Sequence, residues 1–508
     1  MAASTIAAKP SRALRRLLIL LVAFAALVPR AANPSEAITI DETLWIDRSA
    51  NFVDAVFDGR LGDAWASGHP GVTTMWIGGL AQKTLPDNAP LRDRYARARI
   101  AMAVADVGLL VLVWWLAAAL FGLFAGSAGA LLLAFDPFLI ANQRVLHLDG
   151  LLTAAMAASL LALMRGLHLN DRGWVRISGV LAGVAFLTKQ PSAFLVPATL
   201  VLLWRDGGGI KARFLHWLWP AVAVFVAAWP VIWVWPWKPA ALLISSAGKG
   251  AADAGDAFFL GRQVRDPGPL FYPVAFIWRA TIVTLPAVIA TGVWAVRRRA
   301  TQPAARDTLR LLALALGFVA MMTIGAKKGD RYGLPGYGLA SLAAGIGIAH
   351  LLRGRTRAVG AAAVAALLAL HAAPGLALHP YEQESYNWAA GGPVTAKHVL
   401  TVGWGDGLDE AARALHRMPD LSGATVASTR LAPFDSFYEG RTIRIEESSL
   451  MTPGGPRPDV VLFYFSSLQT GRYDEIWRAY RDREPLHEVR VAGIPLVRVY
   501  RLVPTSGG

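Results

Sequence analysis

The sequence predicts a mainly α-helical, multi-pass membrane protein that ends in a separate α/β domain. Three observations carry this. The 508 residues are 55% hydrophobic, include 18 tryptophans and have a mean hydropathy of +0.41. Apolar runs close to the ~20 residues that cross a bilayer as a helix recur through residues 1–378. From 379 to 508 the chain turns polar, and short alternating apolar runs replace the long ones. The net charge of +15 needs no nucleic-acid partner, because the cytoplasmic loops of a multi-pass protein concentrate Lys and Arg. The chain has no Cys, which excludes disulfides, thiolate zinc sites and a cysteine nucleophile.

Eleven helices are expected, at about 16–32, 98–122, 127–141, 149–168, 176–188, 191–204, 213–236, 272–296, 309–325, 333–352 and 358–376. The first follows the basic start Lys9, Arg12, Arg15 and Arg16. A cleaved leader has that pattern too, but the many spans downstream favour an uncleaved helix. Between the first and second spans lies a long loop, 33–97. It contains DETLWIDRSANFVDAVFDGRLGDAWASGHPG, from Asp41 to Gly71. Leu44, Trp45, Phe52 and Val56 are spaced as one face of an amphipathic helix directed at lipid. The stretches 127–141 and 176–188 are short for a crossing, as tilted or broken helices lining a polar cavity are. In the C-terminal part, strands are expected at 398–402, 425–428, 459–465, 489–492 and 495–499, with helices at 408–415 and 474–480.

Orientation follows from the loops. With a cytoplasmic N-terminus, the cytoplasmic segments carry Arg165, Arg172, Arg176, Arg205, Lys211, Arg213, Arg297, Arg298, Arg299, Arg306, Arg310, Arg353, Arg355 and Arg357. The protein is then an inner-membrane protein whose C-terminal domain is extracytoplasmic. The polar segments near Asp41, Asp149, Lys189 and Arg331 all face the outer side.

Several residues on that side are chemically suggestive. Asp41 is a good helix N-cap, and as a partly shielded carboxylate beside Glu42 it also suits a general base. His69, before Pro70-Gly71, is either a loop histidine held by backbone or a substrate contact. With Glu42 it offers only two metal ligands, too few for a site. Arg144 and Asp149, in FDPFLIANQRVLHLDG, read as a loop-anchoring ion pair or as groups facing a pathway. Lys189 in FLTKQPS reads as a snorkelling lysine or a cation aimed at a phosphate. Lys327, Lys328 and Arg331, with Tyr332, cluster in AKKGDRYGLPGYG. Such a cluster suits an anionic ligand or anionic lipid. Arg265, set among aromatics in FFLGRQVRDPGPLFYP, suits an interfacial anchor or a sugar contact. The turn GWGDGLDEAARAL reads as a tight strand-to-helix connection.

Taken in order, these pieces resemble a known family. Asp41-Glu42, HPG at 69–71, Arg99 in RIAMA, RVLHLDG, LTKQP, DPGPLFYP and KKGDRYGLP are similar to motifs of membrane glycosyltransferases of the GT-C fold. The group resembled is the protein O-mannosyltransferases (family 39) and their bacterial relatives. The resemblance implies a sugar donor on a polyprenyl phosphate, an acceptor hydroxyl on a protein, lipid or glycan, and inverting transfer on the outer side. It implies Asp41 as base with Glu42 assisting, and Arg99, Arg144, Lys189, Lys327, Lys328, Arg331 and Tyr332 near the donor phosphate. His69, Asp149 and Arg265 would contact acceptor or substrate. No cofactor is specified, and a divalent metal stays open. The loop reads HPGVTTMW where the family has HPP followed by Gly-Lys, so sugar and acceptor are open. A transporter or flippase of lipid-linked sugars is the alternative, since it too uses intramembrane cations and broken helices.

Overall fold

The computed structural model describes residues 12–65, 70–207, 209–252 and 255–502. His69 lies outside the described residues. Helix α1 (Arg12–Ala31) leads into α2 (Glu42–Phe57) and α3 (Val72–Gln82), which fold back as a pair over the following bundle. The bundle is built from α4 (Leu91–Phe121), α5 (Leu123–Ala134), α6 (Pro137–Gln143), α7 (Asp149–Leu169), α8 (Arg172–Thr188), α9 (Leu195–Asp206) and α10 (Ile210–Ala228). A short turn α11 (Val231–Val234), α12 (Trp237–Ala252) and a hairpin of β1 (Ala257–Phe259) and β2 (Arg262–Val264) follow. Then come α13 (Phe271–Arg279), α14 (Thr284–Arg298), α15 (Pro303–Ile324), α16 (Leu334–Leu351) and α17 (Arg357–Leu376).

Six of these helices are long and apolar enough to cross a membrane, and eight if each of two bent pairs makes one crossing. The eleven expected segments are all helical, but several are broken. The stretch 127–141 divides into α5 and α6, which meet at 62°. Pro137 lacks an N–H to continue the ladder, while Asp136 caps the new helix, accepting from Phe138 N at 3.1 Å and Leu139 N at 3.2 Å. The stretch 272–296 bends by 114° between α13 and α14.

Helices α7 and α16 are central: 89% of each apolar window is buried, against 17% in α10. Both are rich in Ala and Gly, which lets backbones approach. A Cβ added at Gly345 of α16 would lie 2.4 Å from the carbonyl oxygen of Ala128 in α5. The expected lipid-facing helix in the first loop is corrected. Trp45 and Phe52 of α2 are buried against protein, 3% and 1% exposed, in a core with Met75, Tyr95, Leu146 and Trp229. Leu44 alone of the four is fully exposed. Their periodicity announces a buried face; it does not say whether lipid or protein buries it.

The C-terminal part folds as a mixed five-stranded sheet in the order β4-β3-β5-β7-β6. Strands β3 (Val426–Ser428), β4 (Thr442–Arg444) and β5 (Val460–Tyr464) are parallel, and β6 (His487–Val491) and β7 (Ile494–Arg501) run antiparallel. Helices at Leu408–His416 and Asp474–Tyr480 match the expected ones. The expected strand at 398–402 is not one. That segment makes a single bridge, Leu400 with Phe259, and its Val399 carbonyl accepts from Leu260 N at 2.9 Å. It is a seam that ties the loop hairpin to the C-terminal domain. Apolar residues of the bundle and of the sheet, among them Tyr272, Leu334, Leu400 and Val497, share one continuous core.

Candidate active site

The site forms where the first loop, the α6–α7 connection, the end of α8, the turn before α16 and the turn 403–407 meet. Asp41 is at its centre. It occupies the N-cap position of α2, yet its side chain makes no capping hydrogen bond. Arg331 Nη2 donates to Asp41 Oδ2 at 2.6 Å, and Trp404 Nε1 donates to the same oxygen at 3.3 Å. His147 Nε2 lies 3.6 Å away. Burial by itself raises the Asp41 carboxyl, but Arg331 first, then His147, Trp404 and Lys189, outweigh it and hold the group below the usual carboxylate range.

A second carboxylate, Asp149, opens α7 directly behind. It accepts from Lys189 Nζ at 2.6 Å, and Arg331 Nε and His147 Nδ1 approach it at 3.6 and 3.2 Å. Asp149 is 1% exposed and Asp41 30%. Asp41 is therefore the carboxylate a substrate can reach, and Asp149 the one that positions the cations. The Tyr332 ring lies 4.6 Å from the Lys189 ammonium and 5.6 Å from the Arg331 guanidinium. The Trp404 ring lies 4.3 Å from the Arg331 guanidinium and 5.0 Å edge-on to His147.

Local chemistry holds these groups in place. Lys189 follows the last residue of α8, in extended backbone before Pro191. Gly71 pins this end: its N–H donates to Thr188 O at 3.0 Å, its φ is +60°, and a Cβ there would strike the Trp45 ring at 2.3 Å. The Arg331 turn is steadied by Arg279, whose Nε donates to Asp330 Oδ2 at 2.7 Å. Trp404 is set by Asp406, which accepts the Trp404 N–H at 3.0 Å and whose carboxyl burial pushes up to about 6.

The remaining sequence candidates are placed differently. Glu42 and Arg99 are fully buried partners, bonded at 2.7 and 2.5 Å. Arg99 gives its other donors to the carbonyls of Pro34, Glu36 and Ala37, and Glu42 also accepts from Leu146 N at 2.7 Å. With all its donors engaged, Arg99 braces the first loop and presents no free N–H to a phosphate. Arg144 is a buried clamp too, through its two terminal nitrogens, while its Nε has no partner. It bonds Glu382 at 2.6 Å and the carbonyls of Pro380 and Ala32, not Asp149. Lys328 donates to Asp266 at 2.7 Å and Gly325 O at 2.6 Å, while Lys327 and Arg265 are exposed. Among the described residues, no three His, Asp or Glu side chains are grouped to hold a metal ion.

Three residues of the site go beyond the sequence candidates. His147 stands inside RVLHLDG, two residues before Asp149, and Trp404 inside GWGDG. Arg279 ends α13 with no motif around it. The first two are legible as polar or aromatic members of quoted motifs; Arg279, itself buried, is found only through its ion pair with Asp330.

Residues 92–235 match the model of the dolichyl-phosphate-mannose-protein mannosyltransferase family. Arg99, Arg144, His147, Asp149 and Lys189 fall inside that match. Over 114 residues, 22% of this chain, it is 29% identical to the Bacillus subtilis (strain 168) protein named "Putative mannosyltransferase YycA". The chain spans 17% of the length of that curated relative. The whole architecture is similar to ArnT from Cupriavidus metallidurans bound to undecaprenyl phosphate, with TM-score 0.56 and 14% identity over 98% of this chain and 100% of that one. For the same protein in its apo state the TM-score is 0.52, at 14% identity over 96% and 97%. The chain is accordingly a membrane protein of the GT-C fold, with residues 92–235 similar to the dolichyl-phosphate-mannose-protein mannosyltransferase family.

Proposed function

We propose that the protein is an inner-membrane glycosyltransferase that moves a sugar from a polyprenyl-phosphate carrier to a hydroxyl on a protein, lipid or glycan. Transfer takes place on the outer side, with inversion and with Asp41 as the base. The observation that carries this is the pairing of a reachable carboxylate with Arg331 at 2.6 Å, backed by Lys189 on Asp149. Similarity to a fold seen with undecaprenyl phosphate bound supports the choice of donor class.

The chemistry follows from charge. The acceptor oxygen attacks the anomeric carbon as the bond to the carrier phosphate breaks, and Asp41 takes the hydroxyl proton. The phosphodiester monoanion leaves as a phosphate monoester carrying one more negative charge. Over the step, one negative charge therefore passes from Asp41 to the phosphate. Arg331, which neutralises Asp41 beforehand, is freed as that carboxyl is protonated and can then hold the phosphate oxygens. A cation shared in this way stabilises the transition state without a net change in site charge. Lys189 supplies the second positive charge.

The direct test incubates proteoliposomes with labelled polyprenyl-phosphate hexoses and pentoses and follows the label. Label passing to a hydroxyl acceptor supports the reading; label that only crosses the bilayer on its carrier makes the protein a flippase. Arg331→Gln should lower kcat by ~10²–10³ and raise KM for the donor, whereas unchanged constants would remove Arg331 from the phosphate site. Sidedness has its own check. The chain lacks Cys, so single cysteines at the exposed Asn51 and Glu439 should react with an impermeant maleimide on intact spheroplasts. Reaction only after permeabilisation would invert the topology.

A further inference from the structure

A second site lies at the opposite end of the two helices, α9 and α15, that connect to Lys189 and to the 327–332 turn. Helix α9 (Leu195–Asp206) follows Lys189 through the short turn Gln190–Phe194 and carries Arg205 in its last turn; α15 (Pro303–Ile324) carries Arg306 in its first turn and ends shortly before the turn that holds Arg331. Between them is a groove of 620 Å³, floored by Phe194, Pro197, Val201, Ala313 and Gly317. Its far end carries Arg205, Arg299, Arg306 and Arg310. Arg310 is held by Asp307 at 2.8 Å. Arg299 spends one donor on Val296 O at 2.5 Å. Arg205 and Arg306 have no acidic partner among the described residues.

We propose that this groove binds one anionic glycerophospholipid, its acyl chain along the apolar floor and its phosphate on Arg205, Arg299 and Arg306. Two physical arguments select that occupant. An apolar trough closed at one end by three uncompensated guanidinium groups fits an apolar chain with an anionic end, since Arg grips phosphate oxygens in pairs. The length also fits. The 12 residues of α9 span ~18 Å, close to one leaflet of the ~30 Å hydrocarbon core, whereas a polyprenyl chain is much longer. The lipid would wedge two helices whose other ends connect to the turns holding Lys189 and Arg331. This inference does not depend on the reaction proposed above.

The test is native mass spectrometry of the full chain purified in detergent, after exchange into dioleoylphosphatidylglycerol or dioleoylphosphatidylcholine. Wild type should retain one phosphatidylglycerol at least tenfold more than phosphatidylcholine. Arg205→Gln combined with Arg306→Gln should bring that preference to about unity. Gly317→Leu should expel the lipid by another route. A Cβ at 317 meets only Phe194, at 3.5 Å, so a larger side chain grows into the groove while a helix interior tolerates Leu better than Gly. Thermal melting checks that each variant is folded. Equal retention of both lipids would mean bulk annular lipid and overturn the proposal. So would full retention in the folded variants, displacement by inorganic phosphate alone, or preferential uptake of undecaprenyl phosphate.

Discussion

Asp41→Asn is expected to reduce turnover by ~10²–10⁴, the range a positioned general base contributes, while membrane insertion and thermal stability stay close to wild type. The substitution keeps the shape of the side chain and its contact with Trp404 Nε1, and the carboxylate makes no cap whose loss would unravel α2. The pH profile adds an independent check. Burial opposes the charged form of Asp41, but Arg331, His147 and Trp404 prevail and depress its pKa. A depressed pKa keeps the base form populated as pH falls, so its acid limb belongs below the free Asp value of ~3.9. The rate should therefore stay flat down to pH ~5 and decline only in stronger acid. A limb centred near neutrality in wild type would assign the base to another group, and near-normal turnover in Asp41→Asn would remove it altogether.

Glu42→Gln should have the opposite signature, a loss of stability with chemistry little changed in whatever remains folded. Arg99 and Glu42 are both 0% exposed and joined through two hydrogen bonds. Removing one charge of such a pair leaves the other buried without a counter-ion, at a cost of ~3–5 kcal/mol. Melting in detergent, with the yield of folded protein, reads this directly. The double variant Glu42→Gln with Arg99→Met should recover much of the loss, because no uncompensated charge remains. If Glu42 instead assists the chemistry, Glu42→Gln would fold normally and turn over slowly. Adjacent carboxylates at 41 and 42 thus separate into a partly exposed group, the proposed base, and a buried brace. One residue of helical rotation accounts for it: Asp41 faces the site, and Glu42 faces Arg99 and the amide of Leu146.

Much of the architecture was readable from residue order. Long apolar runs can be satisfied in a membrane only as helices, so the helical stretches and their approximate limits followed from residue order, while their breaks did not. The alternating runs after 420 identified most of the sheet. Strand β4, three residues of mixed polarity, carried no such signal and exists because β3 offers it a parallel partner. The reverse error at 398–402 has the same origin. Its apolar alternation is real, but its neighbour is a two-stranded hairpin in a distant loop, and one bridge is all the geometry permits.

The sequence by itself determined the membrane class, the helical stretches and the set of loop charges from which a site could be drawn, because hydrophobicity and charge are properties of residues. Only the tertiary structure decided what each charge does, because an ion pair is a property of two residues far apart in the chain. It divided the cations into those spent inside the protein, Arg99 on Glu42 and Arg144 on Glu382, and those gathered around Asp41 and Asp149. It also brought Trp404, 363 residues away, onto the same oxygen of Asp41 as Arg331. Burial makes that division sharp: a guanidinium withdrawn from water must be matched by fixed partners, and Arg99, with every N–H group matched, has none left for a substrate.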